Sequence, residues 1–162
     1  MTTSKLIRLI ARTGRIAEPA PEAAGERHAG ARALRGSVHV RYVDVGGATD
    51  CAMEIAAAFG PVYDLERYGV RLVASARHAD VLLVTGVVTR NMLEPLLLTV
   101  EATPRPRLIG AVGDAAIGGG PFVGGYGVAG VVSDFVPVDF EIPGSPPEPA
   151  EIVAALRRIS GR

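Results

Sequence analysis

Val81-Leu82-Leu83-Val84-Thr85-Gly86 decides how this chain is read. Four consecutive apolar residues and a threonine, stopped by glycine, are too few for a core helix and lack the alternation of a half-exposed strand. Such a run suits a parallel strand buried on both faces. Val70–Ala74 before it and Leu108–Val112 after it are runs of the same kind. Phe135–Asp139 is expected to add a fourth, ending in a proline-bounded loop. Upstream, Val38, Val40 and Tyr42 alternate with Ser37, His39 and Arg41, as in a half-buried strand.

Helical signals fill the intervals. Thr49 or Asp50 can cap a helix over Cys51–Phe59, with Ile55 and Phe59 one turn apart and Gly60-Pro61 as its stop. Tyr63–Tyr68 suggests a short helical turn. Asn91–Glu101 reads as a helix that tolerates Pro95 in its first turns. Glu148–Ile159 reads as a closing helix with Pro149 at its start and Ile152, Leu156 and Ile159 on one face. Strands alternating with helices predict an α/β fold, a flavodoxin-like parallel sheet with flanking helices. This single domain spans 37–162. Before it, residues 1–36 predict a short helix over Ser4–Arg12 and then an extended arm rich in Ala, Pro, Gly and Glu, which orders by docking on a partner.

Charge narrows the partners. Lys plus Arg and Asp plus Glu both number 17 among 162 residues, so no global field draws the chain to nucleic acid. The distribution is uneven. Lys5, Arg8, Arg12, Arg15, Arg27, Arg32, Arg35 and Arg41 face four acids within residues 1–47, and the remainder has a surplus of four negative charges. A basic segment of this kind is either solvated or docked on a partner or an anionic surface. Cys51 is the single cysteine, so no internal disulfide forms. No stretch approaches the roughly 20 apolar residues of a membrane span. Leu6-Ile7 and Leu9-Ile10 are too interrupted by charge for a secretory segment. The expected setting is cytoplasmic.

Ligands of parallel sheets gather at the carboxyl ends of the strands. Four stretches fall there: Asp44–Ile55, Thr85–Met92, Val112–Ala116 and Val136–Pro147. In sequence these are DVGGATDCAMEI, TGVVTRNM, VGDAA and VPVDFEIPGSPP. Together with Tyr63–Val70 and Ser75–Gly86 they resemble the small subunit shared by membrane-bound [NiFe] hydrogenases, formate hydrogenlyases and NADH:quinone oxidoreductase (complex I). The resemblance runs from about Arg8 to the end of the chain. Arg12-Thr13-Gly14, Glu18-Pro19-Ala20-Pro21 and Thr85–Thr89 lean toward the hydrogenase and hydrogenlyase branch.

That family holds one [4Fe–4S] cluster on four cysteines. Carried over by position, the ligand sites here are Ala48, Cys51, Ala115 and Ser145, so three of the four cysteines are missing. Alanine offers no lone pair, and serine ligates only as an alkoxide at a large deprotonation cost. The resemblance therefore implies a structural, non-catalytic subunit with a degenerate iron–sulfur site and no cofactor. It would lie against a large [NiFe]-hydrogenase-like or complex I 49 kDa-like subunit, with other subunits of a membrane-bound complex, at the inner face of the plasma membrane. The alternative is an electron-transferring oxidoreductase subunit whose [4Fe–4S] cluster is held unusually, through Cys51 and Ser145. A third possibility is a stand-alone module binding a small anion or nucleotide at the sheet edge. The resemblance also sets Glu54, Arg90 and Met92 near the cluster, quinone or large-subunit face.

Cys51 has no base of the Cys–His type in reach by sequence, since His39 lies on the first strand and His78 before Val81. Gly118-Gly119-Gly120 and Gly124-Gly125 lack the Lys-Ser/Thr end of a phosphate loop. They read instead as a loop whose backbone packs closely against a partner.

Overall fold

A computed structural model describes Ser4, Leu34 and residues 36–47 and 49–162 of the chain. The strands in chain order are β1 (Val38–Asp44), β2 (Val70–Leu72), β3 (Val81–Thr85), β4 (Val88–Thr89), β5 (Leu108–Val112), β6 (Val128–Gly130) and β7 (Phe140–Ile142). The α-helices are α1 (Thr49–Ala58), α2 (Arg90–Ala102), α3 (Asp114–Gly118) and α4 (Pro149–Ser160). The expected helix over Ser4–Arg12 and the extended arm lie, but for Ser4, Leu34 and Gly36, outside the described residues.

Five strands form one sheet in the order β2-β1-β3-β5-β7, and every pairing in it is parallel. All residues of β3 and β5 are buried, as continuous apolar runs require when helices cover both faces. Val81 and Leu83 point to one layer with Leu108 and Val112, where Ile55 of α1 and Ile152 and Leu156 of α4 meet them. Leu82 and Val84 point to the other layer with Ile109 and Ala111, against Leu96 and Val100 of α2. The two-residue period of a strand thus divides one apolar run between two cores.

Two helices show how local sequence sets their bounds. The Glu148 main-chain N–H donates to the Glu151 carboxylate at 3.1 Å, and Pro149 occupies the first turn of α4, where its missing N–H costs nothing. Gly161, at φ 73°, ends the helix. In α2, Pro95 falls within the first two turns.

Two sequence expectations are corrected, and one pairing is new. The fourth run forms no strand over Phe135–Asp139; the ladder starts at Phe140. Pro137 has no N–H to give, and Asp139 spends its groups elsewhere. Its N–H donates to the Ile109 carbonyl at 2.8 Å, and its carboxylate accepts from the Ile109 N–H at 2.7 Å. β2 is shorter than Val70–Ala74 and leaves Arg71 and Leu72 exposed, because it is the sheet's edge strand. The antiparallel pair β4–β6 was not foreseen, since strands of two and three residues carry no readable period.

The Asp139 tie gives a direct test. Asp139→Ala strands the N–H of buried Ile109, at a cost of about 2 kcal/mol. The expected fall in Tm is roughly 6 °C by circular dichroism. Asp139→Asn keeps an accepting oxygen and should stay within about 2 °C of the natural chain.

Candidate functional site

The sheet reverses its winding between β1 and β3, and the loops leaving those two strands open a cleft at their carboxyl ends. A recess of about 220 Å³ lies there. Its lining takes Gly47 from the β1 loop, Asp50 and Cys51 from α1, Gly86 after β3, Asp114 and Ala115 from α3, and Gly144 and Ser145 after β7. Pro121 and Phe122 of the glycine-rich loop close one side. Thus Cys51, Ala115 and Ser145 come together as expected, while Ala48 lies outside the described residues. A wider hollow of about 530 Å³ opens at the amino end of β5, between Arg105, Arg107, Pro137 and Asp139, and gathers none of the expected site residues.

Carboxylates tie the walls. One Asp44 oxygen accepts from the N–H groups of Gly46 and Gly47, at 3.0 and 2.9 Å, and sets the turn after β1. The Asp114 N–H donates to the Gly144 carbonyl at 2.8 Å, and the Asp114 carboxylate accepts from the Gly144 N–H at 2.8 Å. That reciprocal pair joins loops 30 residues apart.

Glycine is required at two points of close approach. Gly86 sits at φ 79°, and a Cβ there would stand 2.0 Å from the Gly47 nitrogen. Gly113 sits at φ 88°, and a Cβ there would stand 2.6 Å from the Cys51 sulfur. The thiol therefore lies directly against main chain.

Cys51 is 6 % exposed. Burial first, and then the carboxylates of Asp50, Asp114 and Asp44, push its thiol up to about 11. Among the described residues, no Lys or Arg lines the recess. Among the described residues, no group of three or more His, Cys, Asp and Glu side chains is placed to hold a metal ion. His39 stands at the amino end of β1, its Nδ1 3.4 Å from the Asp80 carboxylate, and so offers Cys51 no base. The sequence reading gave Asp50 only a capping role and gave Asp44 and Asp114 no role of their own. The available signal was adjacency, since Asp50 directly precedes Cys51 and Asp114 directly follows Gly113.

A thiol held this high is a weak nucleophile at neutral pH. Iodoacetamide at pH 7.5 should modify folded Cys51 at least about a hundredfold more slowly than a free thiol, with the rate climbing up to about pH 11. Folding favours the protonated thiol, so its contribution is whole below 9.0, the ordinary value, and is lost as pH rises from there through about 11. Mass spectrometry of alkylated protein and urea melts across this window read both effects.

Arg90 lies with its guanidinium 4.9 Å from the Tyr126 ring centroid, and Met92 packs into the layer beneath α2. Glu54 is half-buried on α1. Phe122, Val123 and Tyr126 are exposed in the glycine-rich loop.

Residues 49–159 match the family described as NADH ubiquinone oxidoreductase, 20 kDa subunit. The chain is 44% identical over 117 residues to formate hydrogenlyase subunit 7 of Escherichia coli, covering 72% of this chain and 46% of that one. It thus spans about half the length of that relative. It is also 44% identical over 125 residues to a Pyrococcus furiosus protein named "Probable membrane-bound hydrogenase subunit mbhJ", covering 75% of each. Among solved structures, a chain of the membrane-bound sulfane sulfur reductase, an archaeal respiratory membrane complex, superposes with a TM-score of 0.68 at 29% identity. That superposition covers 81% of this chain and 75% of the other.

Proposed function

Because the chain belongs to the NADH ubiquinone oxidoreductase 20 kDa subunit family, we propose that it is the small subunit of a membrane-associated hydrogenase-like or NADH:quinone-oxidoreductase-like complex, and that it serves there as a structural piece without a [4Fe–4S] cluster. The complex setting is supported by relatives named as subunits of formate hydrogenlyase and of a membrane-bound hydrogenase. No described helix is long and apolar enough to cross a membrane, which accords with a peripheral position.

The observation that carries the structural reading is the donor set of the recess. Where the resemblance expects thiolates, the described walls present one thiol, one methyl group and one hydroxyl, at Cys51, Ala115 and Ser145. A four-iron cube takes a donor at each iron, normally thiolate. The Cys51 thiol is pushed up to about 11, and the carboxylates that help raise it oppose further negative charge. These residues do not fit such a cluster.

The proposed partner is a large subunit of the [NiFe]-hydrogenase or complex I 49 kDa type, seated at the recess edge beside exposed Phe122 and Val123. Affinity purification of the tagged chain from its native host, with iron, sulfide and electron paramagnetic resonance measured on the product, tests both halves. The expected product contains a large partner and no cluster assignable to this chain. A chain recovered alone overturns the complex, and about four irons on this chain overturn the structural role.

A further inference from the structure

At the corner of the sheet opposite the recess, two arginines crowd one tyrosine and a third lies beside the adjoining backbone. The Arg67 and Arg157 guanidinium carbons lie 4.6 and 4.2 Å from the Tyr68 ring centroid. Arg67 also donates to the Tyr68 hydroxyl. Arg157 Nε donates to the Arg162 main-chain oxygen at 3.1 Å. The Arg162 side chain lies over the backbone where β1 and β2 begin, its Nη2 3.4 Å from a Cβ built at Gly36 and its Nε 3.8 Å from one at Gly69. Among the described residues, no arginine stands within ion-pair distance of an Asp or Glu carboxylate.

Stacking the Arg67 and Arg157 guanidinium groups on one ring works against their mutual repulsion, which an anion from outside would relieve. The ring face and the main-chain oxygen hold the planar groups in place, and a planar fork of N–H donors suits two oxygens of a phosphate. Arg67 and Arg162 are exposed, and neither hollow of the surface is lined by any of the three. Among the described residues the corner has no walls, and such a corner suits anions borne on a surface better than an enclosed small molecule. The segment that carries Lys5, Arg8, Arg12, Arg15, Arg27, Arg32 and Arg35 joins the fold here, where the Gly36 N–H donates to the Ser160 carbonyl at 3.0 Å.

We infer that the Arg67–Tyr68–Arg157–Arg162 corner is the face of this chain that binds phosphate groups of anionic phospholipids. The inference rests on the membrane-complex reading and adds to it the surface that meets the lipid. The recess edge, at the other end of the strands, stays free for a protein partner.

The test is sedimentation of the full chain with vesicles of phosphatidylcholine alone or containing about 30% phosphatidylglycerol. Binding is expected only to the anionic vesicles, and weaker in high salt. The variant R67Q/R157Q/R162Q should partition on the order of a hundredfold less. The control R41Q/R77Q/R105Q removes the same net charge elsewhere and should retain most of the binding. Equal loss in both variants makes the effect one of net charge and overturns the inference. Should the triple variant melt early, the exposed single change Arg162→Gln serves in its place, with about a fivefold loss expected; no loss overturns the inference. Thermal protection by inorganic phosphate, absent from the triple variant and unaccompanied by vesicle binding, assigns the corner to a free oxyanion and overturns the lipid. A large partner that still co-purifies while vesicles are ignored sinks this inference and leaves the complex standing; a partner lost from the triple variant turns the corner into a protein interface, with the same result for the lipid.

Discussion

Replacing Ala48→Cys, Ala115→Cys and Ser145→Cys together is expected to give a chain that takes up about four irons and four sulfides on anaerobic reconstitution, against fewer than about 0.5 iron for the natural chain. Cys51, Ala115 and Ser145 already share one recess, and Ala48 directly follows Gly47 of its wall. The loops that carry them are tied by Asp44 and Asp114 through main-chain hydrogen bonds. Three new thiols would complete a four-cysteine set with Cys51, and iron binding would draw the thiols into the thiolate form. Visible absorption and acid-labile sulfide read the result, and adding Cys51→Ala to the same variant should reduce it. Uptake of a full cluster by the natural chain would contradict the proposed loss. Failure of the folded triple variant to take up iron would show that the walls no longer have the shape a cluster needs.

Gly86→Ala is expected to be the most damaging single methyl group at the site. The residue sits at φ 79°, where a side chain strains the backbone by about 1–2 kcal/mol. The new Cβ would also meet the Gly47 nitrogen at 2.0 Å and its Cα at 2.3 Å. Those are backbone atoms of the loop leaving β1, so no rotamer change relieves the clash. A total cost on the order of 4 kcal/mol lowers Tm by about 8–16 °C. Gly118→Ala is the comparison, because nothing lies within 4 Å of a Cβ there. A Gly86→Ala melt within about 2 °C of the natural chain would show that the two loops can move apart at little cost.

The central strands were legible because burial on both faces leaves a mark that polar residues cannot imitate. Val81–Thr85 and Leu108–Val112 contain no charge and run at full strand length, and both form where expected. Phe135–Asp139 failed for a local reason. Val136 and Val138 look like strand positions, but Pro137 interrupts the donors, and Asp139 caps the neighbouring strand instead of extending its own. The edge strand was overestimated because the ladder register ends at Leu72; the Val73 N–H still donates to the Val40 carbonyl at 2.8 Å, and apolar Ala74 lies past the strand.

The recess was legible in part. Parallel strands put all four loops on one edge, so the meeting of Cys51, Ala115 and Ser145 follows from the fold reading alone. The Asp114–Gly144 tie was not legible, because it joins positions 30 residues apart whose register depends on where β7 begins. The crowded arginines were hidden for the same kind of reason. Arg67 and Arg157 are distant in sequence, and Tyr68 brings them together.

The reciprocal pair between Asp114 and Gly144 has a consequence for how such a subunit matures. In a metalloprotein whose loops close around an inorganic centre, delivery of that centre is a folding step. Here an aspartate does the stitching with two bonds to main chain, using only atoms the ribosome supplies. On the role proposed above, this chain reaches its final shape without the cell's iron and sulfide donors. Its abundance would then hold steady through iron starvation while cluster-dependent neighbours decline.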